Sequence, residues 1–290
     1  MTTRAEQTTV ASPVSKYGFG LHSGVECAVR ILPAAPDAGI AFASASGAEI
    51  PATTEHVVGT ERCTTLGAGG ARVGSVEHLL AALYGGGIDN ARIEVEGPEV
   101  PSCDGSAKEW VGLLRTAGKR RLGRPRRILA VREAVWAGNG SSWSLAIPAR
   151  GLALAVAVDF PGTVVGRQRL WLRLTQQGFA AELAPARTFA LAAEVESLRA
   201  GGLAKGGGEH NAFAFGPDGY SGPLRFPDEV VRHKALDLLG DLALCGRRVQ
   251  GHIVAARPSH RANLALARAL RATLSDQRGA HNRQYVGETR

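Results

Sequence analysis

Between Pro227 and Gly246 the chain reads P-D-E-V-V-R-H-K-A-L-D-L-L-G-D-L-A-L-C-G. His233, Asp237 and Asp241 recur every fourth residue, so on an α-helix they stack on successive turns and point the same way. An imidazole and a carboxylate one turn apart can ligate a single metal ion from a rigid support. A second carboxylate further along can orient whatever else enters the site. Taken alone, such a line is more often a solvated helix face. Two further signals change the balance. Glu77-His78 opens one run with helical character, where the positive end of the helix dipole favours an ionised carboxylate and backbone N–H groups are unsatisfied. His260 opens another. Three ligands of the His, His, Asp kind would leave the fourth zinc position free, as in hydrolytic sites. A carboxylate next in sequence to a ligand is placed to take a proton from water.

The elements that must carry these residues are legible from periodicity. Val230, Val231, Leu238, Leu239 and Leu242 mark one helical face, with Pro227, Asp228 and Glu229 suiting a first turn and Gly246 a stop. Ser75 to Tyr84 predicts a helix closed by Gly85-Gly86-Gly87, and Ser106 to Thr116 a second. Ser259 suits the N-cap of a closing helix running to about Leu274. Alternating apolar residues predict strands over Val25–Ile31 and Asn90–Glu96, and strands also fit Ile40–Ala43, Ile128–Trp136, Trp143–Ile147, Leu152–Phe160, Arg169–Leu174 and Val249–Ala256. Helices are expected at Gln176–Leu183 and Ala192–Arg199, and a glycine-rich loop at Lys205–Glu209. His22, among Gly18, Gly20 and Gly24, is expected to be structural. The pattern predicts an α+β fold of two sandwich domains, each a sheet covered by helices. We expect 1–123 to supply Glu77 and His78, 124–276 to supply His233, Asp237 and His260, and 277–290 to form a flexible basic tail.

With 290 residues, 44% hydrophobic and 21% charged, the chain has the composition of an ordinary globular protein, without an apolar run of membrane-spanning length. Its opening, M-T-T-R-A-E-Q-T-T, carries no apolar secretory stretch, so a cytoplasmic location is expected. Cys27, Cys63, Cys103 and Cys245 are scattered, which argues against a disulfide framework or zinc knuckle and leaves N and O donors for any metal. The net charge of +8 fits an anionic partner, and six basic residues cluster in Lys119–Arg127, the expected domain boundary.

Longer motifs run through the chain in order: G-L-H-S-G at 20–24, C-T-T-L at 63–66, S-V-E-H-L-L-A-A-L at 75–83, G-I-D-N at 87–90 and D-G-S at 104–106. A-R-T-F at 186–189, L-R-F at 224–226, V-R-H-K-A-L-D-L-L-G-D-L at 231–242 and His260 follow. On these segments the sequence resembles the zinc-dependent UDP-3-O-acyl-N-acetylglucosamine deacetylases of lipid A biosynthesis. The resemblance implies zinc ligands at His78, His233 and Asp237 and a general base at Glu77. His260 would be the imidazolium that stabilises the oxyanion and protonates the leaving amine, oriented by Asp241. Thr188 would help bind the oxyanion, Phe189 would wall the substrate site, and Lys234 would lie near the nucleotide-sugar. It implies two α+β sandwich domains with the ion between them, one Zn²⁺ per chain with Fe²⁺ as the alternative, an acylated UDP-sugar as substrate and a monomer. The chain departs from the family pattern at Pro161-Gly162-Thr163, at Lys205–Gly208 and at His210, all in expected substrate-facing segments.

Two rival readings are a zinc amidase for another N-acyl sugar and a nucleic-acid-binding module using the basic run 119–127. That run lacks interleaved aromatics, so no nucleic-acid partner is expected.

Overall fold

The structure is a computed structural model that describes residues 5–285 except 46, with side chains described as far as Leu274. The first half contains β1 (Glu6–Val10), β2 (Val14–Phe19), β3 (Glu26–Pro33), β4 (Ile40–Ser44), β5 (Glu49–Pro51), β6 (Val57–Gly59), β7 (Thr65–Ala68) and β8 (Ala71–Val73). α1 (Glu77–Gly86), β9 (Ala91–Glu96) and α2 (Lys108–Ala117) complete it. One sheet has the order β2-β3-β9-β4-β5, with β4 parallel to β9 and the other pairs antiparallel. Strand alternation turns Val29, Ile31, Phe42, Ile50 and Ile93 inward, where they join Leu79, Leu80, Leu83 and Trp110 of the helices in the core.

The second half runs β10 (Lys119–Pro125), β11 (Ile128–Ala130), β12 (Val135–Asn139), β13 (Ser142–Ile147), β14 (Leu152–Phe160), β15 (Gly166–Arg173) and α3 (Gln176–Gly178). It continues through β16 (Thr188–Leu191), α4 (Val195–Ala200), β17 (Ala212–Phe215), α5 (Glu229–Ala243), β18 (Arg248–Ala256) and α6 (His260–Tyr285). Its main sheet has the order β12-β13-β18-β14-β15, with β11 beside the start of β18. α5 lies on β14 and β15, α6 lies on β12 and β13, and α1 packs along α5. The helices of the two halves therefore meet inside, and their apolar residues form one continuous core. This is the α+β architecture expected.

Several elements differ from expectation. The basic run is a strand, not an irregular connection: β10 pairs antiparallel with β1, from Glu6↔Pro125 to Val10↔Lys119. Nearly every β10 side chain is exposed, so the strand is held by its backbone ladder and needs no apolar alternation. The expected strand Ile128–Trp136 is two strands. β11 pairs with Arg248–Gln250, and the chain then leaves that edge of β18 and returns as β12 against β13. The expected helix Gln176–Leu183 begins as α3, whose Gly178 N–H donates to Thr175 Oγ1 at 2.9 Å, and widens into a π-helix over Phe179–Leu183. α6 continues to Tyr285, beyond the expected end near Leu274; of the expected tail, 286–290 lie outside the described residues.

Candidate active site

The candidate site is assembled where α5 packs against the start of α1. A Cβ on Gly240 would lie 2.1 Å from the carbonyl oxygen of Glu77, so only glycine permits this approach. It brings the His233–Asp237–Asp241 line of one helix against the Glu77-His78 opening of the other. The line is not solvated: His233 is 3%, Asp237 2% and Asp241 1% exposed.

His78 Nε2 and His233 Nε2 lie 3.5 and 3.4 Å from Asp237 Oδ1. All three atoms fall within 4.8 Å of one another, and the two imidazoles are perpendicular. His233 Nδ1 is 3.1 Å from the Ala186 carbonyl, which makes Nδ1 the donor and leaves the Nε2 lone pair directed at the cluster. Burial lowers the His233 pKa to about 4 although Asp237 opposes this, so the ring is a neutral donor. Asp237 Oδ1 is buried without a hydrogen-bond partner, while Oδ2 accepts from Lys234 Nζ at 2.6 Å. Burial works against the Asp237 charge, yet His233 and Lys234 hold its pKa well below the usual carboxylate range. Two nitrogen donors and an orphaned anionic oxygen suit zinc. Ligands about 2.05 Å from a tetrahedral ion stand about 3.4 Å apart, matching the two measured edges.

Glu77 is buried beside this trio and its Oε2 accepts the Thr64 N–H at 2.9 Å. The helix dipole suggested an easily ionised carboxylate, but burial pushes the Glu77 pKa up, with His260 and His78 opposing. On the other side, His260 Nδ1 is 2.9 Å from Asp241 Oδ2. Asp241 also accepts from Thr64 Oγ1 at 2.6 Å and from Asn263 Nδ2 at 2.8 Å. Burial alone would lower the His260 pKa; the Asp241 carboxylate overrides it and raises the value to about 9. Thr64 and Asn263 were missed by the sequence reading. Thr64 stood inside C-T-T-L, but nothing in its spacing pointed to Asp241.

Glu77, His78, Thr188, Phe189, His233, Lys234, Asp237 and His260 line one cavity of about 260 Å³, and Asp241 stands behind His260. The Lys234 ammonium, at the same cavity, reaches Asp237 and lies 5.8 Å from the centre of the Phe189 ring. His22 lines the same cavity with its Nδ1 buried and unpartnered.

Other residues of the motifs hold the cavity wall in place. Glu99 accepts from the His22 and Ser23 N–H groups and from both Ser23 Oγ and Ser75 Oγ, clamping G-L-H-S-G to the entrance of α1. A Cβ on Gly20 would overlap that carboxylate, at 2.1 Å. Buried Glu229, first residue of α5, binds the Arg187 guanidinium at 2.9 and 3.1 Å and accepts the Arg187 and Arg225 N–H groups. That pairing fixes A-R-T-F and L-R-F together and sets Thr188 and Phe189 at the cavity wall.

Comparison with known proteins agrees with this geometry. The family model described as "LpxC: UDP-3-O-acyl N-acetylglycosamine deacetylase" matches residues 7–272. A UDP-3-O-acyl-N-acetylglucosamine deacetylase of Myxococcus xanthus (strain DK1622) is 43% identical over 271 residues, covering 90% of this chain and 85% of the relative. Proteins of the same name from Anaeromyxobacter dehalogenans (strain 2CP-C) and Thermosynechococcus vestitus (strain NIES-2133 / IAM M-273 / BP-1) are each 44% identical. They cover 90% and 91% of this chain and 86% and 93% of the relatives, respectively. With a match that runs almost end to end and a cavity built on the family's own motifs, the chain belongs to the UDP-3-O-acyl N-acetylglycosamine deacetylase (LpxC) family.

Proposed function

We propose that this cavity hydrolyses the N-acetyl amide of a UDP-3-O-acyl-N-acetylglucosamine, releasing acetate and a free amine in lipid A biosynthesis. The observation that carries the reading is the orphaned Asp237 Oδ1 facing two imidazole Nε2 atoms beside Glu77 and His260. His78, His233 and Asp237 would hold one Zn²⁺, with Fe²⁺ as the alternative. Bound there, a divalent ion supplies Lewis acidity, which acidifies a water and polarises an amide carbonyl.

The protein's residues do the rest. Glu77, whose burial raises its proton affinity, removes a proton from the attacking water. As the carbonyl carbon becomes tetrahedral, the Thr188 hydroxyl and the His260 cation stabilise the negative charge developing on its oxygen. His260, held charged by Asp241, gives its proton to the leaving nitrogen and the C–N bond breaks. Phe189 walls the sugar site. Lys234, through Asp237, positions a metal ligand and adds positive charge for an anionic substrate.

We further infer two sandwich domains divided at 123/124, with Glu77 and His78 from the first and the other site residues from the second. No described helix is long and apolar enough to cross a membrane; a monomer in the cytoplasm that binds no nucleic acid completes the reading. The test is metal analysis of the purified protein with acetate release from UDP-3-O-acyl-N-acetylglucosamine, before and after chelation and metal return. Acetate release that survives complete metal removal would refute it, as would its absence from metal-loaded protein.

A further inference from the structure

The outward faces of the two main sheets differ in a way that deacetylation does not use. On the first sheet, Arg30, Arg92, Glu94 and Glu49 point outward and form ion pairs at 3.4–3.6 Å. Apart from Tyr17 and Phe19 on its edge strand, this is the polar outer face expected of a sheet covered on one side. The second sheet reverses that pattern. Its register puts Trp136, Leu145, Val254, Ala155 and Trp171 in one row across β12, β13, β18, β14 and β15. Trp143 and Ile147 flank the row on β13. α5 and α6 cover only the opposite, inward side. Trp136 and Trp171 are 60% and 61% exposed, and three of the chain's four tryptophans stand on this face.

Charge accompanies the apolar row. The edge strand β15 sends Arg167, Arg169 and Arg173 outward beside Trp171, and all three are exposed. Arg167 meets Asp159 at 3.4 Å, whereas Arg169 and Arg173 have no carboxylate partner among the described residues.

We propose that this face docks the protein reversibly on an anionic phospholipid bilayer. Trp136 and Trp171 are separated by four strand spacings, about 19 Å at about 4.8 Å each, with aliphatic side chains between them. Exposed patches of this kind mark interaction surfaces. Tryptophan suits the lipid interface because it buries a ring while its N–H stays solvated. The unpaired arginines add attraction to a negatively charged leaflet. Single-stranded nucleic acid fits less well. The centre of the row, Leu145, Val254 and Ala155, is aliphatic, and Trp136 and Trp143 on β12 and β13 stand apart from Trp171 on the opposite edge strand, so the rings form no continuous track for stacked bases.

The experiment is co-sedimentation of the full chain with vesicles of phosphatidylcholine mixed with phosphatidylglycerol, and in parallel with phosphatidylcholine alone. The protein is expected on the anionic vesicles only, with tryptophan emission shifting to the blue and binding declining as salt rises. Arg169→Gln and Arg173→Gln should each weaken partitioning roughly fivefold. The double variant Trp136→Ser/Trp171→Ser should abolish it. Acetate release by these variants should match that of the unmodified protein, which certifies their fold and separates this surface from the active site. Failure to partition onto anionic vesicles, or partitioning retained by both sets of variants, would overturn the proposal. So would self-association or oligonucleotide binding that the tryptophan substitutions abolish while vesicles stay unbound.

Discussion

The charge on His260 depends chiefly on Asp241, with Asp237 and Glu77 adding to it. Burial alone would make the ring a weak base, and the Asp241 carboxylate at 2.9 Å reverses that to a pKa of about 9. Replacing Asp241 by Asn removes the largest attraction and leaves the burial and the weaker pull of Asp237 and Glu77. The basic limb of the kcat/KM pH profile should then fall from near 9 towards or below the ordinary imidazole value of about 6.5, while the acidic limb moves less. A basic limb that stays in place would exclude His260 as the acid. Lys234 needs a different test from the one its sequence position suggests. From a helical offset of about 100° to His233, only substrate contact and a raised KM would be expected. Its 2.6 Å contact with Asp237 predicts instead that Lys234→Ala weakens metal affinity by roughly 10–100-fold, measurable by competition with a chelating dye. Glu77→Ala should do the opposite: metal content stays and kcat falls by roughly 10²–10⁴-fold.

At the scale of elements, the site depends on how closely α5 approaches α1. Gly240→Ala would place a methyl group against the Glu77 carbonyl, where rigid helix backbone cannot yield. The variant should lose about 1–3 kcal/mol of stability by overpacking and lose activity with it, because Glu77 and His78 move relative to Asp237. Gly112 in α2 is the control. It is exposed, and an added Cβ meets nothing within 4 Å. Gly112→Ala should stabilise the helix by about 0.5–1 kcal/mol with no change in kcat. Thermal denaturation and steady-state assays of the pair separate packing against α1 from general helix propensity. Equal behaviour of the two variants would contradict the role given to Gly240.

For the whole molecule, the proposed ligand set would tie together elements far apart in the chain: His78 comes from α1, and His233 with Asp237 comes from α5. An ion bound only by the folded arrangement stabilises it by mass action, about 4 kcal/mol at a free concentration 1,000 times Kd. Chelation should therefore lower Tm as well as abolish activity, and returning metal should restore both. Asp237→Ala, which removes a ligand, should have a Tm insensitive to chelator. An unmodified protein whose Tm ignores chelation would show that the trio binds no ion.

The sequence by itself determined what periodicity and motif can carry. The heptad-like spacing of apolar residues in 230–242 marks α5, and its four-residue line of His233, Asp237 and Asp241 lies on that helix as read. Alternation of burial marks β3, β9, β13 and β18 and the later part of β14, whereas β4 buries Phe42 and Ala43 side by side and shows as a short apolar run. Short or charged strands escaped. β16, which carries Thr188 and Phe189, has four residues, too few to establish a period, and β10 is held by ladder bonds to β1 that no local pattern encodes. The tertiary structure alone decided which polar groups became partners. Thr64 with Asp241, Arg187 with Glu229 and Glu99 with the His22 loop are separated by 177, 42 and 77 residues. Their energies come from burial and hydrogen bonding that exist only once the sheets and helices have packed. Packing also acts on Glu77 against the dipole of its own helix, since burial raises its pKa.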